Sequence, residues 1–149
     1  MPNFIIQPFV GVDPVCLGMS RDDVHRAMPE PPKPFRKGPK ARHETDAFFQ
    51  SSFQVFYGGD QPVVEYIELS RGSAVRAFYR DLDVFATPAD ELVAFISRDS
   101  AFNQKDREIP YSYIFPGLQL SVWRPTIGGT DGRYFSTTGI GREGYYAVA

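Results

Sequence analysis

Between Phe53 and Leu69, apolar and polar residues alternate on both sides of a Gly58-Gly59-Asp60 turn. Alternation at period two marks strands with one buried face, and the glycines mark the reversal. Phe53, Val55 and Tyr57 share a face of the first strand. In the second, Val63, Ile67 and Leu69 share a face with Glu65, and Val64, Tyr66 and Glu68 take the other. This hairpin commits the chain to an antiparallel sheet. Further strands are expected at Phe4–Val10, interrupted by Pro8, and at Val75–Tyr79, Leu82–Phe85, Tyr113–Phe115, Leu118–Trp123 and Arg133–Thr138, with a last one at Tyr145–Val148. Gly128-Gly129-Thr130-Asp131-Gly132 is read as the turn before the Arg133 strand.

Two short helices interrupt this pattern. Ser20 suits an N-cap, with Asp23 three residues on and Val24, Ala27 and Met28 on one face; Pro29 stops the helix. Thr87-Pro88-Ala89-Asp90 announces the second, with Thr87 as cap and Leu92, Val93 and Ile96 as buried face. Between the first helix and the hairpin, residues 29–43 hold five prolines, which exclude a helix and a central strand. Their five basic residues against Glu30 give a local +4 within a net charge of −2, so the remainder carries −6. We expect a mobile or extended basic loop on an acidic body.

These elements predict a single α+β domain over residues 1–149, a mostly antiparallel sheet with two short helices on one face. A length of 149 residues suffices for a core without staples. The halves echo each other, with caps at Ser20 and Thr87, Phe53-Gln54-Val55 against Leu118-Gln119-Leu120, and Gly58-Gly59 against Gly128-Gly129. A tandem duplication of a helix-plus-hairpin unit over residues 1–80 and 81–149 follows as an expectation.

Gly18-Met19-Ser20-Arg21-Asp22-Asp23-Val24 resembles the helix start of the helix-then-hairpin units in the SmpA/OmlA outer-membrane lipoproteins. In tandem, that unit builds the beta-lactamase inhibitory protein family. The resemblance implies this architecture. The lipoproteins' acylated cysteine and the inhibitors' disulfides have no counterpart in a chain whose one cysteine is Cys16. The chain is also loosely similar to bacterial immunity proteins, which are small, acidic and aromatic-rich and which neutralise a cognate toxin.

Composition narrows the functions. Near charge balance argues against a general nucleic-acid binder. No apolar stretch approaches a membrane span, and the start lacks a signal peptide's pattern, so a cytoplasmic location is expected. A lone cysteine makes neither a disulfide nor a cysteine-cluster zinc site, and Cys16, between Val15 and Leu17, reads as a buried thiol. His43 and Asp46 have a metal-pair spacing but no third ligand, so the loop reads as solvated. Glu65 and Glu68, on opposite faces, cannot share acid–base work. Neither Gly128–Gly132 nor Gly139-Ile140-Gly141 opens a phosphate-binding helix.

What remains is aromatic. Leu118, Leu120 and Val122 form one face of their strand and Gln119, Ser121 and Trp123 the other, so Trp123 projects from an open side. We therefore expect an inhibitor or immunity-type protein that blocks a toxin or an enzyme. Trp123, Arg124, Tyr134 and Tyr57 would be anchors, and Asp60, Glu65 and Glu68 would complement a basic target. No catalytic residue, metal or cofactor is assigned, and neither nucleic acid nor membrane is a partner. The chain would be a monomer or homodimer. The alternative is a small-ligand-binding protein or small enzyme using the same sheet face.

Overall fold

The computed structural model describes residues 1–146. In chain order these form β1 (Asn3–Gln7), β2 (Gly11–Val12), β3 (Val15–Cys16), α1 (Arg21–Ala27), β4 (Lys33–Phe35), β5 (Thr45–Phe48), β6 (Phe53–Gly58), β7 (Val63–Ser70), β8 (Arg76–Tyr79), β9 (Leu82–Asp83), α2 (Ala89–Ser97), β10 (Ser112–Phe115), β11 (Leu120–Trp123) and β12 (Thr137–Gly141).

The expected α+β arrangement needs correction. The protein is mostly sheet, with two sheets of five and seven strands and two helices of only seven and nine residues. The smaller sheet runs β3-β2-β1-β8-β9, and the larger runs β10-β11-β12-β7-β6-β5-β4. Nor does a helix-plus-hairpin duplication organise them. The chain from β4 to β7 is a four-stranded meander, whereas α2 is followed by three strands, the last of which returns to β7. In the smaller sheet β1 pairs in parallel with β8, Phe4 opposite Ala77. That contact joins the two ends of the supposed first unit and has no counterpart among the described residues of the second.

Both sheets contribute to one core. Phe4, Ile6, Ala77 and Tyr79 from the smaller sheet bury against Phe53, Val55, Ile67, Leu120 and Ile140 from the larger. The Phe4 ring lies 4.9 Å from Phe53 and 5.5 Å from Phe49, edge-on and tilted. Val24 and Met28 at α1, with Leu92, Val93 and Ile96 of α2, complete the cluster.

Local chemistry explains the helices. The Asp23 N–H donates to Ser20 Oγ at 3.1 Å, so the first cap forms as read. The second does not. The N-cap is Pro88, without a side-chain cap, and the Thr87 hydroxyl donates instead to the Asp83 carbonyl at 2.6 Å. Cys16 is exposed rather than buried, because in the two-residue β3 it is Val15 that faces the core. The segment 29–43 is more ordered than a solvated loop: it supplies β4 at the rim of the larger sheet, where Pro34 forgoes no ladder bond.

The other sheet edges are also closed or short. At β10 the outward Ile114 carbonyl accepts from the Asn103 N–H at 2.8 Å, and β3 and β9 are two residues each. The strand expected at residues 145–148 falls partly outside the described residues. Tyr145 and Tyr146 lie in a turn, with the Tyr145 N–H donating to the Arg142 carbonyl at 2.9 Å.

Because Phe4 joins the two sheets, Phe4→Ala is expected to cost about 3 kcal/mol. Urea denaturation of the two proteins measures it as a lowered midpoint.

Candidate functional site

The larger sheet has two chemically distinct faces. Inward, β5 places Asp46 fully out of solvent. Arg21 and His25 are one helical turn apart on α1, so both reach it. The Arg21 guanidinium donates through Nε and Nη2 at 3.0 and 2.7 Å, His25 Nε2 lies at 2.6 Å, and the Tyr57 hydroxyl donates at 2.7 Å from β6. Burial pushes the Asp46 carboxyl up, but the bonds from Arg21, Tyr57 and His25 outweigh it and hold it below the usual carboxylate range. The bond to Asp46 raises Arg21. Burial, then the bond to Asp46, raises Tyr57. Three of these contacts converge on Oδ2 and one on Oδ1, so the buried carboxylate is committed to α1 and β6. Asp46 therefore serves as a clamp between α1 and the sheet.

This corrects two sequence readings. Asp46, read with His43 as part of a solvated loop, is buried, while His43 keeps an exposed contact with Nε2 2.7 Å from the Gly59 carbonyl. Tyr57, read as a surface anchor, is 5% exposed and committed to Asp46. The spacing Arg21-x-x-x-His25 was the available signal for the clamp, but nothing local indicated which carboxylate it would meet.

Outward, the sheet carries Gln54 and Phe56 of β6, Tyr66 and Glu68 of β7, Ser121 and Trp123 of β11, and Gly139 of β12. These positions stand beside one another in register, with Gln54 opposite Glu68, Phe56 opposite Tyr66, Glu68 opposite Gly139 and Ser121 opposite Gly139. Among the described residues no strand or helix covers this face; the turn at Tyr145 and Tyr146 lies over part of it. Tyr145 stacks on Tyr66 with centroids 4.6 Å apart. Tyr66 Oη, Tyr146 Oη and Ser121 Oγ form a closed triangle of 2.8, 2.9 and 2.8 Å, in which each hydroxyl can give one hydrogen bond and accept another. Burial is the main reason that Tyr66 and Tyr146 are raised above the ordinary phenol range. The Gln119 amide grips the Tyr146 backbone from both sides, accepting its N–H at 2.6 Å and donating to its carbonyl at 3.1 Å.

The β6–β7 pairing shifts register between Phe56 and Tyr57. Because of that bulge, the alternation read from sequence fails at Glu65. Val64 turns into the core, and Glu65 and Glu68 both act on the Tyr145 hydroxyl. Burial first, then Tyr146 and these two carboxylates, push Tyr145 up to about 12. Glu68 itself is raised by burial, with Lys37 opposing. Beside them opens a cleft of about 370 Å³, walled by Lys37, Arg42, His43, Phe56, Glu65 and Tyr145.

The remaining sequence candidates separate. Trp123 does project, 42% exposed. Arg124 does not: it is 6% exposed, donates to the Pro110 and Gly132 carbonyls at 3.0 and 2.9 Å, and stacks 5.2 Å from Phe135. It braces the loop before β12. Tyr134 is half-buried between Arg71 and Arg133. Asp60 sits at the hairpin tip, paired with Arg42 in an exposed contact of small energetic weight. Among the described residues no group of three or more acidic, histidine or cysteine side chains is arranged to hold a metal, and no helix is long and apolar enough to cross a membrane. Comparison with protein-family models, curated proteins and solved structures finds no match.

Two stability outcomes follow. The lowered Asp46 carboxyl contributes stability that is fully present above its ordinary value of 3.8 and is lost as pH falls through its folded value. Asp46→Asn should cost about 3 kcal/mol at neutral pH, and the gap from wild type should narrow in denaturation curves below about pH 4. Gly139→Ala places a methyl against the Tyr66 ring and hydroxyl. It should open the hydroxyl triangle and cost about 1–3 kcal/mol, read as a lower Tm and greater tyrosine exposure in ultraviolet difference spectra.

Proposed function

We propose that this chain is a non-enzymatic binding protein that neutralises a partner protein, a toxin or an enzyme, by steric occlusion. The carrying observation is the outward face of the seven-stranded sheet. It carries an exposed Trp123 on β11 and, across Ser121 and Gly139, the Phe56, Tyr66 and Tyr145 cluster with Glu65 and Glu68, and among the described residues no regular element covers it. Such surfaces mark interaction sites, and Trp and Tyr anchors dominate binding energy where they are buried by a partner. Asp46 is fully buried and tied to Arg21, Tyr57 and His25, which supports a structural role for the inward face. Glu65 and Glu68 are the acidic residues of this surface, and they suit a basic target better than Asp60, whose charge is met by Arg42. The exposed free thiol of Cys16 suits a reducing, cytoplasmic compartment.

A second reading, small-ligand binding, has one observation in its favour. An apolar groove of about 560 Å³ runs past Ile5, Pro8, Phe9 and Leu118. It ends at Asp99, which accepts from Tyr79 at 2.6 Å and from Arg80 Nε at 2.8 Å.

Low-salt capture from native lysate with immobilised wild type, Trp123→Ala/Phe56→Ala and Ile5→Ser separates the readings. Protein binding through the outward face predicts one stoichiometric partner, its affinity reduced about 30-fold by the double substitution and unchanged by Ile5→Ser. The partner's activity should fall when wild type is added. Capture that survives the double substitution would remove this face from the interface. A metabolite that raises the Tm of wild type but not of Ile5→Ser would transfer the assignment to the groove.

A further inference from the structure

We propose that Phe56, Tyr145, Glu65 and Glu68 form a cage for a basic side chain of the protein partner, and that Lys37 occupies this cage in the free protein. The inference rests on the protein-binding reading and specifies the chemistry of its central contact.

The aromatic part is continuous. Phe56 meets Tyr66 edge-on at 5.7 Å, Tyr66 stacks on Tyr145 at 4.6 Å, and Tyr146 stands edge-on to Tyr145 at 5.1 Å. A cation within about 6 Å of such a ring face is attracted by its quadrupole. Lys37 Nζ stands 4.8 Å from the Phe56 centroid. The two carboxylates supply the counter-charge. Glu65 lies so close to the Gly58 backbone that a Cβ at Gly58 would strike its carboxylate. Glu68 projects on the same face as Phe56, from the neighbouring strand. Among the described residues neither glutamate makes an ion pair within 4 Å. The acidic wall thus faces a cation seated on an aromatic floor with no direct partner of its own.

Lys37 is suited to leave. It is exposed, it belongs to the connection between β4 and β5 rather than to a strand, and its ammonium is held by the Phe56 ring and longer-range attraction. The other two bases of the cleft are tied elsewhere, Arg42 to Asp60 and His43 to the Gly59 carbonyl. A partner's lysine or arginine entering the cleft replaces one cation by another, so the acidic wall faces a cation in either state. The basic loop acts as an internal competitor that keeps the acidic wall neutralised until a partner arrives.

The test uses the full chain as wild type, Lys37→Ala, Lys37→Ala/Glu68→Gln and Lys37→Ala/Phe56→Ala. Each is titrated at low salt with a short oligolysine peptide, an oligoglutamate peptide and choline, and binding is read by calorimetry. Circular dichroism verifies that each variant is folded. Removing Lys37 should tighten oligolysine binding about 10-fold. Glu68→Gln or Phe56→Ala in that background should abolish the gain, and oligoglutamate should not bind. Oligolysine binding that is no tighter in Lys37→Ala than in wild type overturns the proposal. So does a gain that survives in both Lys37→Ala/Glu68→Gln and Lys37→Ala/Phe56→Ala. Choline bound more tightly than oligolysine would reassign the cage to a small quaternary ammonium and overturn the side-chain assignment. The two readings fail separately. Oligolysine binding without a captured partner keeps the cage and removes the protein-binding role. A captured partner without oligolysine binding removes the cage.

Discussion

A carboxylate with no access to water is the constraint around which one side of this molecule is arranged. Asp46 in the interior would be costly unpaired, because burial alone favours its neutral form. Three side chains offset that cost, and each comes from a place the backbone must then respect. Arg21 and His25 require α1 to lie across β5 with one face down, and Tyr57 requires β6 to turn its last residues inward. The segment leading into α1 is meanwhile tied to β7, where the Gly18 N–H donates to the Val64 carbonyl and the Val64 N–H to the Met19 carbonyl. The short helix is therefore held at its entrance by backbone bonds and along its body by charge. Only Val24 and the terminal Met28 contribute apolar burial there, too little for a seven-residue helix to stand alone.

Much of this was legible in the sequence where the determinants are local. Ser20 with Asp23, the alternation at Phe53–Tyr57, and Leu120 and Val122 against Ser121 and Trp123 each act within a few residues, and the structure follows them. Illegible were interactions between distant segments. The pairing of β1 with β8 needs residues 3–6 to meet residues 76–79, and no periodicity announces a partner. Strands of two residues, such as Gly11–Val12 and Val15–Cys16, are too short to show a period at all. The misreading of Tyr57, Glu65 and Arg124 has the same origin. Residue type marks a good anchor or acid, but burial and a one-residue bulge decide which way it points. Thr87 failed as a cap because Asp83, four residues upstream, offered its hydroxyl a carbonyl.

The outward face shows how a sheet accommodates bulky aromatics beside one another. Gly139 leaves the space that Tyr66 fills, and Gly141 does the same for Tyr145. Gln119, in a left-handed conformation at φ 49, turns its amide to the Tyr146 backbone. The tyrosine surface is thus set by two glycines, which read in sequence as ordinary turn material, and by one residue in a left-handed conformation that reads as part of a strand.

The closure of the sheet edges has a consequence for how recognition could change over time. With Pro34 at one rim and Asn103 bonded to Ile114 at the other, a visiting chain finds few free backbone groups and cannot simply extend the sheet. Contact has to be made by side chains on a rigid floor, each replaceable without disturbing the hydrogen-bonded frame beneath. A surface of this kind can exchange one target for another through single substitutions, whereas one that binds by adding a strand accepts many sequences and distinguishes few.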